Sequence, residues 1–361
     1  MDTNRYIKMV DELKEGAPAS NSLNSKVLVV DALNHFIRNW SVNPIMNDEG
    51  IHIGGIAGFL TSLGYIIKTF KPTRVVLVFD GKGGSQKRRA LYSEYKNNRA
   101  GMPTQNRIEQ TGEDTQMSMT RQFQALSLLL DTLPITTMMI DHIEADDAIG
   151  YIACQVLKEP NQECIIVSSD RDYLQLVDDK TFVWSPVKKK LYTKESVLEE
   201  YKVSAKNFLL FRCIIGDKSD NIPKIQGISA DFCVRAFPEL AVDGRISLDK
   251  FITYAETRMN TDSTVSLDKK IAKSYRQIVE QKDVLYLNHK LMQLHDVDIS
   301  GSNKMKIQNI IENQLTTLNK TDFIKVLHSH KMTNAIRNLS IWMGEVFNML
   351  DLNIRKELSS R

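Results

Sequence analysis

The sequence predicts an α/β fold, with a parallel central sheet flanked by helices and a mainly helical C-terminal part. Apolar runs at 26–30 and 74–79 have the composition of covered strands, because both are rich in valine and leucine. A helix-prone stretch separates them, and the order strand–helix–strand favours a right-handed crossover with parallel pairing. From Thr193 onward apolar residues recur at helical spacing, most clearly at 339–352.

Between these ends the chain continues the alternation of helix and strand. Ile149, Ile152 and Val156 recur at helical spacing, which predicts a helix over Ala145–Lys158, and the apolar run Cys164–Val167 predicts a strand. The remaining predicted elements are helices at 56–70 and 119–132, a strand at 135–140 and a hairpin at 182–192.

The same patterns predict the domain organisation. Residues 1–25 are expected to be an N-terminal extension, with a short helix at 5–14 before a linker rich in Gly, Pro, Ser and Asn. We expect an α/β domain over 26–200 and a helical C-terminal domain over 201–361.

Composition limits the class of protein. The net charge of +3 over 361 residues is too small to identify a partner, so any basic surface must be local. The four cysteines have no CxxC spacing, which favours reduced thiols over a zinc site. No apolar run approaches the length of a membrane span, and the N-terminus lacks a signal-peptide pattern. We therefore expect a soluble, cytoplasmic monomer with no membrane partner.

Three of the predicted strands end at or near an aspartate: Asp31, Asp80 and Asp170. The carboxyl ends of parallel strands share one edge of a sheet, so these side chains should converge. Four more carboxylates lie between Asp80 and Asp170 or shortly after Asp170 in the sequence, namely Glu144, Asp146, Asp147 and Asp172. Capping of a helix N-terminus explains some of them, but it does not explain the acidic pair after the next strand. Oxygen ligands select Mg²⁺ or Mn²⁺, and so many carboxylates fit two or three cations that act on a phosphodiester.

A basic segment separates the second strand from the next helix. Residues 82–107 contain seven basic residues and a single acidic one, Glu94, with Tyr92 and Tyr95 interleaved. Basic residues with aromatic neighbours suit a nucleic-acid single strand, which they bind by phosphate charge and base stacking. A solvated surface loop is the alternative interpretation.

Six motifs in this order resemble the 5′-nuclease family, which comprises the 5′→3′ exonuclease domains of bacterial DNA polymerase I, phage flap endonucleases and phage RNase H, and eukaryotic flap endonucleases. They are LVVDALN at 28–34, VFDG at 78–81, LYSEYKNNR at 91–99, EADDAIG at 144–150, SSDRDYLQLV at 168–177 and GDKSDNIP at 216–223. The chain looks most like the T4-type phage RNase H members. The resemblance implies a PIN-like sheet, a helical arch at about 82–130 and a duplex-binding helix–turn–helix at 216–235.

The resemblance also implies roles for individual residues. One metal cluster would consist of Asp31, Asp80, Glu144, Asp146 and Asp147, and the other of Asp170, Asp172, Asp217 and Asp220. Lys82 and Arg88 would be catalytic, since they match the residues that meet the scissile phosphate. Further nucleic-acid contacts are expected from Lys87, Tyr92, Tyr95, Lys96, Arg99, Lys218, Lys224 and Gly227. The implied cofactor is Mg²⁺, two ions or more, with Mn²⁺ as a substitute.

The duplex-binding motif departs from the family pattern. Lys224 replaces the usual glycine after Pro223, and the lysine of the usual GIGxKTA is missing from 227–233. The loss weakens the phosphate contact that a turn and helix N-terminus provide, and Lys224 is the candidate to compensate. Lys188, Lys189 and Lys190 at the predicted hairpin tip are either a second duplex contact or a solubilising edge.

These inferences predict a metal-dependent 5′ nuclease with exonuclease, flap endonuclease or RNase H activity. It would remove RNA primers and flaps from duplex DNA during replication, in the host cytoplasm if a phage encodes it. A sliding clamp and a single-strand-binding protein are candidate partners, although no clamp-binding motif is clear. The alternatives are a PIN-type ribonuclease and a DNA-binding protein without catalysis, whose carboxylates hold a structural ion.

Overall fold

The computed structural model describes residues 22–99, 115–261 and 269–361, and its centre is a six-stranded sheet. The strands are β1 Lys26–Asp31, β2 Arg74–Phe79, β3 Thr136–Met139, β4 Glu163–Val167, β5 Thr181–Ser185 and β6 Lys190–Tyr192. Their spatial order is β3-β2-β1-β4-β5-β6. The first five pair in parallel, and β6 pairs antiparallel with β5 at one end.

Helices surround the sheet and form most of the later chain. Those before β6 are α1 Ala32–Val42, α2 Gly54–Phe70, α3 Gln86–Leu91, α4 Thr115–Leu130 and α5 Ala145–Tyr151. Those after it are α6 Lys194–Tyr201, α7 Phe208–Ile215, α8 Ala230–Ala236, α9 Leu248–Thr261, α10 Lys269–Glu280, α11 Lys282–Met292, α12 Gly301–Asn313, α13 Lys320–Ser329 and α14 Leu339–Ser360. Short 3₁₀ turns occur at Asn97–Arg99, Arg171–Leu176, Ala205–Asn207 and Pro238–Ala241.

The sheet separates two hydrophobic cores, and the alternation of β1 shows how. Val27 and Val29 face the core that contains α5 and α7, whereas Leu28 and Val30 face the core that contains α2, α4 and α14. All four are at most 1% exposed, as expected for a strand that helices cover on both faces. The central strands are thereby fixed in place, and their carboxyl ends form a rigid base for a site.

The predicted fold class is confirmed: the sheet is mainly parallel and helices flank it. One helix differs from its prediction. The α-helix that begins at Ala145 ends at Tyr151, and a π-helical turn continues over Ile152–Val156, closed by a hydrogen bond from Leu157 N to Ile152 O. A single π turn is too short to change the apolar period of the segment, so the sequence pattern did not distinguish it from a continued α-helix.

Two predicted features lie outside the described residues. They are most of the N-terminal extension, including the helix at 5–14, and residues 100–114 of the arch. Both cores contain residues from either side of position 200, and the division into domains stays a prediction. None of the helices in the described ranges has the length and hydrophobicity needed to span a lipid bilayer.

Candidate active site

Three aspartates lie where three neighbouring strands of the sheet end. Asp31 is the last residue of β1, Asp80 directly follows β2, and Asp170 lies shortly beyond β4. β1 lies between β2 and β4, and all three run parallel, so their carboxyl ends share one edge. This is the edge at which open parallel sheets bind ligands.

Hydrogen bonds hold the carboxylates of this edge. Ser168 Oγ donates to Asp31 Oδ2 at 3.1 Å, and the Tyr173 hydroxyl donates to the same oxygen at 3.4 Å. The backbone N–H of Ala145 donates to Asp80 Oδ1 at 2.8 Å. This last bond joins the end of β2 to the start of α5, so Asp80 and the acidic first turn of α5 belong to one site.

The surroundings of Asp31 disfavour the negative charge of its carboxylate. Burial, and then the charges of Asp80 and Asp170, raise the pKa of Asp31 from 3.8 to about 7. Like charges in a poorly solvated place either keep a proton or bind a cation. The electrostatics of this edge therefore favour a bound cation.

A second acidic group lies at the N-terminus of α5. Glu144 is the N-cap residue, and Asp146 and Asp147 lie in the first turn. One carboxylate oxygen from each lies within 4.8 Å of the others, close enough to share a metal ion. A helix N-terminus carries only about half a positive charge, so it cannot neutralise three carboxylates by itself.

Arg88 supplies positive charge to this group. Its Nη1 contacts Glu144, and lies 3.1 Å from both Asp146 Oδ1 and Asp147 Oδ2. Its Nη2 donates to Asp147 Oδ1 at 2.9 Å, and its Nε donates to Leu291 O at 2.9 Å. Burial alone would lower the pKa of Arg88, but the three carboxylates raise it well above its usual value. In this structure Arg88 is thus a buried counterion of the acidic group.

Lys96 and Tyr95 complete the contacts of Glu144. Lys96 Nζ pairs with the carboxylate, and the Tyr95 hydroxyl donates to it at 3.2 Å. Burial would raise the pKa of Glu144, but Arg88 and Lys96 hold it below its usual value. Tyr95 is only 2% exposed, which argues against the prediction that its ring stacks on a base.

The carboxylates of the other predicted cluster surround a different arginine. Arg212 Nε donates to Asp172 Oδ1 at 2.6 Å, Nη2 pairs with Asp217, and Nη1 donates to Gly216 O at 3.3 Å. Burial and Asp170 raise the pKa of Asp172 to about 7 even with Arg212 beside it. Each acidic set therefore contains one buried guanidinium.

Sequence reasoning missed Arg212. Its signal was present, because Arg212 is the single charged residue in the apolar helix α7, FLLFRCII. A charge in such a helix must be paired when it is buried, and Arg212 is 4% exposed. What the sequence did not give was the identity of its partners.

The nine predicted metal ligands lie at the strand ends, at the start of α5, in the turn after β4 and on the loop after α7. The distances between their carboxylates differ. Within the described ranges, Glu144, Asp146 and Asp147 are the group whose oxygens approach closely enough to share an ion. Asp220 is 9% exposed and lies on the same loop as Asp217. The carboxylate donors suit a hard divalent cation, and the assignment of each residue as a ligand stays a prediction.

The predicted DNA-contact residues are more scattered. Lys82 and Lys218 are exposed, while Lys87 Nζ lies 2.5 Å from a carboxylate oxygen of Asp298. Tyr92 is half-buried against Tyr95. The side chain of Arg99 lies outside the described residues.

Lys224 and Gly227, both predicted DNA contacts, line a groove of about 410 Å³. Sequence reasoning did not identify the other residues that line it. Lys270 and Lys273 of α10 also line it, so a second helix adds positive charge here. Gly227 has a φ of +85°, in the region that favours glycine, so a side chain there would strain the backbone.

The lysines of the β5–β6 hairpin pair with a carboxylate. Lys188 Nζ and Lys190 Nζ lie 2.5 and 2.7 Å from the oxygens of Glu200. The Tyr192 hydroxyl donates to Glu200 at 3.0 Å. These contacts favour the interpretation of the hairpin as a solubilising edge over a duplex contact.

The chain is similar to known 5′-3′ exonucleases. Residues 26–202 match the family model described as "5′-3′ exonuclease, N-terminal resolvase-like domain". The 5′-3′ exonuclease of Bacillus subtilis strain 168 is 33% identical over 214 residues, which are 57% of this chain and 67% of that protein. The 5′-3′ exonuclease of Buchnera aphidicola subsp. Schizaphis graminum is 27% identical over 315 residues, 86% of this chain and 95% of that protein.

A solved structure shares the fold. The 5′-exonuclease of phage T5 with bound divalent metal ions (zinc) superposes with a TM-score of 0.55 at 20% identity. The superposition covers 86% of this chain and 99% of the T5 protein. At that identity the likeness establishes the fold alone.

Proposed function

The chain belongs to the 5′-3′ exonuclease family, and we propose that it is a divalent-metal-dependent 5′ nuclease acting on DNA. Its substrates would be duplexes with a 5′ end, a 5′ flap or an RNA primer, and its reaction the hydrolysis of a phosphodiester. One observation carries the proposal. Two acidic sets, each with a buried arginine, lie at the carboxyl edge of the central strands, beside the basic segment that begins at Lys82.

The carboxylates divide between two proposed Mg²⁺ sites, in which Mn²⁺ would substitute. Asp31, Asp80, Glu144, Asp146 and Asp147 would hold one cation, and Asp170, Asp172, Asp217 and Asp220 the other. A T5 protein of the same fold has been solved with bound zinc, which supports a divalent-metal requirement but not the position of the ions. Bound divalent cations would supply Lewis acidity and charge neutralisation at the phosphodiester.

The basic side chains would then act on the phosphate. Arg88 and Lys96 neutralise Glu144 and its neighbours, and a cation in the site would take over that task. A planar guanidinium released from carboxylates can bind phosphate oxygens in two-point contact. Arg88, with Lys82 at the start of the same segment, would orient the scissile phosphate for in-line attack by water. The products would carry a 5′ phosphate and a 3′ hydroxyl.

The groove at Lys224 would bind the duplex. Its three lysines, Lys224, Lys270 and Lys273, face one cavity, and Gly227 allows backbone to approach a phosphate closely. A flap endonuclease of phage T5, whose fold superposes with a TM-score of 0.55, has been solved with DNA and metal ions. By this proposal the lysines of α10 replace the lysine that the motif lacks.

The biological role we propose is the removal of RNA primers and flaps during DNA replication in the cytoplasm. The 5′-3′ exonuclease family match supports this role over that of a PIN-type ribonuclease. A sliding clamp and a single-strand-binding protein stay candidate partners, and the protein is expected to act as a monomer.

A cleavage assay tests the proposal. The substrates are a 5′-labelled flap duplex and a nicked RNA–DNA hybrid, incubated with Mg²⁺, with Mn²⁺ or with EDTA. We expect metal-dependent release of 5′-terminal fragments, whose length separates exonuclease from flap cutting. Tight binding without cleavage in either metal would refute the nuclease, and cleavage of single-stranded RNA alone would favour the PIN-type alternative.

A further inference from the structure

Two segments of the proposed site are joined directly to each other. We name residues 92–98, which follow α3, the base segment, and residues 216–223, which carry Asp217 and Asp220, the aspartate loop. Three hydrogen bonds link them: Lys96 N to Asp220 O at 2.9 Å, Asn98 Nδ2 to Lys218 O at 2.8 Å, and Asn221 Nδ2 to Glu94 O at 2.9 Å. Each segment both donates and accepts, so they form a reciprocal clasp.

The backbone is distorted at the points of contact. Lys96 has a φ of 55° and Asn221 a φ of 60°, both in the left-handed region. Asparagine tolerates this conformation better than most residues, whereas for lysine it is unfavourable. Such conformations persist only when the surroundings hold them, and here the N–H of Lys96 is bonded across the clasp.

Apolar packing lies beneath the hydrogen bonds. Tyr95 of the base segment and Ile222 of the aspartate loop are 2% and 5% exposed, and they share a small core with Leu291 and Met292 of α11. The loop is closed on itself by paired backbone bonds between Asp217 and Ile222 at 3.0 and 2.7 Å. The clasp therefore joins two locally rigid pieces.

The base segment also touches the first acidic group. Tyr95 and Lys96 both contact Glu144, and the backbone of Lys96 is bonded to Asp220. One stretch of chain thus connects the carboxylates at α5 with the loop that carries Asp217 and Asp220.

We propose that Asn98 and Asn221 are positioning residues for the reaction. Their side-chain amides lock the base segment to the aspartate loop and thereby hold Asp217 and Asp220 at a fixed distance from Glu144. The inference rests on the proposed function only in taking these carboxylates as the metal-binding groups. Fixed spacing matters because small displacements of reacting groups cost large factors in rate.

Two substitutions open the clasp from opposite sides. Asn98→Ala removes an amide of the base segment and leaves the loop untouched. Asn221→Gly removes the amide of the loop and keeps the left-handed backbone, which glycine adopts without strain. Asn97→Ala is the matched control, because Asn97 Nδ2 donates at 3.3 Å to the Glu94 side chain inside the base segment and not to the loop.

Two readouts need no cleavage. Hydrogen exchange measures the protection of the Lys96 amide, and calorimetric titration with Mg²⁺ measures metal affinity without DNA. We expect faster exchange and metal binding weakened about three- to tenfold in either clasp variant, as the net worth of one hydrogen bond implies. The double variant should lose little more than each single one, because the two amides act as a unit.

Cleavage of the flap substrate gives the third readout. At limiting Mg²⁺ we expect kcat to fall about tenfold in the clasp variants, with KM for DNA changed less than twofold, and high Mg²⁺ to restore kcat. Wild-type exchange and metal affinity in Asn98→Ala would overturn the proposal, as would equal losses in Asn97→Ala. If Asn221→Gly does not fold, Asn98→Ala decides alone. Wild-type protein that never cleaves would refute the nuclease, while exchange and titration would still test the clasp.

Discussion

The two acidic sets carry similar charge, but their counterions come from different parts of the fold. Glu144, Asp146 and Asp147 are neutralised by Arg88, on the short helix α3, with Lys96 of the base segment beside it. Asp172 and Asp217 are neutralised by Arg212, which lies in the core helix α7 and also bonds to the backbone of Gly216.

This difference suggests different roles for the two arginines. Arg88 belongs to the basic segment that we expect to meet DNA, so a cation and a phosphate together could replace its carboxylate contacts. Arg212 lies outside that segment, in the helix α7, whose apolar side chains pack in the hydrophobic core. We infer that the first set exchanges its counterion when the site is loaded, and that the second keeps it.

The largest effect is expected from Asp146→Asn. The variant removes one negative charge from Glu144, Asp146 and Asp147, whose carboxylate oxygens lie within 4.8 Å of one another. Because metal stabilisation of a transition state is worth several kcal/mol, cleavage of the flap substrate should fall by about 10³-fold or more. Binding of DNA, measured by fluorescence anisotropy in the same buffer, should change little, since it depends on lysines. Cleavage within about tenfold of wild type would remove the first set from the mechanism.

Arg212→Met is expected to destabilise the protein whether or not metal is present. Removing one partner of a buried ion pair leaves carboxylates without a counterion and costs about 3–5 kcal/mol. Mg²⁺ can restore part of this by replacing the charge, but it cannot restore the bond to Gly216 O or the packing in α7. Urea unfolding in EDTA and in Mg²⁺ measures both quantities. Full recovery in Mg²⁺ would remove the distinction between the two arginines.

Arg88→Met is the matched substitution at the other set. In EDTA the free energy of unfolding should fall by a similar amount, about 3–5 kcal/mol, because the carboxylates again lose their counterion. In Mg²⁺ the loss of stability should shrink to about 1 kcal/mol, because a cation between the carboxylates replaces the guanidinium charge and only the bond to Leu291 O stays lost. Cleavage should still be slower than in wild type, since Arg88 no longer orients the phosphate. A loss of stability that Mg²⁺ does not change would contradict the exchange of counterions.

The smallest effect concerns the ion pairs that Glu200 makes with the lysines of the β5–β6 hairpin. Burial alone would raise the pKa of Glu200, but the hydrogen bonds from Lys188 and Lys190 lower it from 4.5 to about 2. A lowered folded-state pKa stabilises the fold above pH 4.5, and this stability is lost as the pH falls from 4.5 toward 2. The pH dependence of unfolding should therefore be shallower in Glu200→Gln over this window, with no dependence on Mg²⁺. An equal slope in both proteins would show that the exposed pairs contribute nothing measurable.

The parallel sheet and the convergence of its aspartates at one edge could be predicted from the sequence alone. Buried parallel strands are local apolar runs, and a residue at the end of each run is placed by the topology alone. Asp31, Asp80 and Asp170 could therefore be assigned to one edge before any coordinates were known.

The counterions could not be predicted in the same way. Arg88 reaches α5 because α3 and α11 pack beside it, and that approach depends on contacts between residues far apart in the chain. Tyr95 was expected to face DNA because it lies among basic residues, yet the packing of Ile222 and Leu291 buries it. The role of Arg212 was missed for a related reason: the sequence indicated a buried charge but not which carboxylates surround it.

Calorimetric titration of wild-type protein and Arg88→Met with Mg²⁺, in the absence of DNA, tests the central claim most directly. If Arg88 occupies the carboxylates that would hold a cation, removing it should tighten metal binding at the first set by about 30-fold or more. A recovery of at least about 2 kcal/mol in Mg²⁺ requires that gain in affinity. Equal or weaker binding in the variant would contradict the account, because Arg88 would then not compete with the metal for Glu144, Asp146 and Asp147.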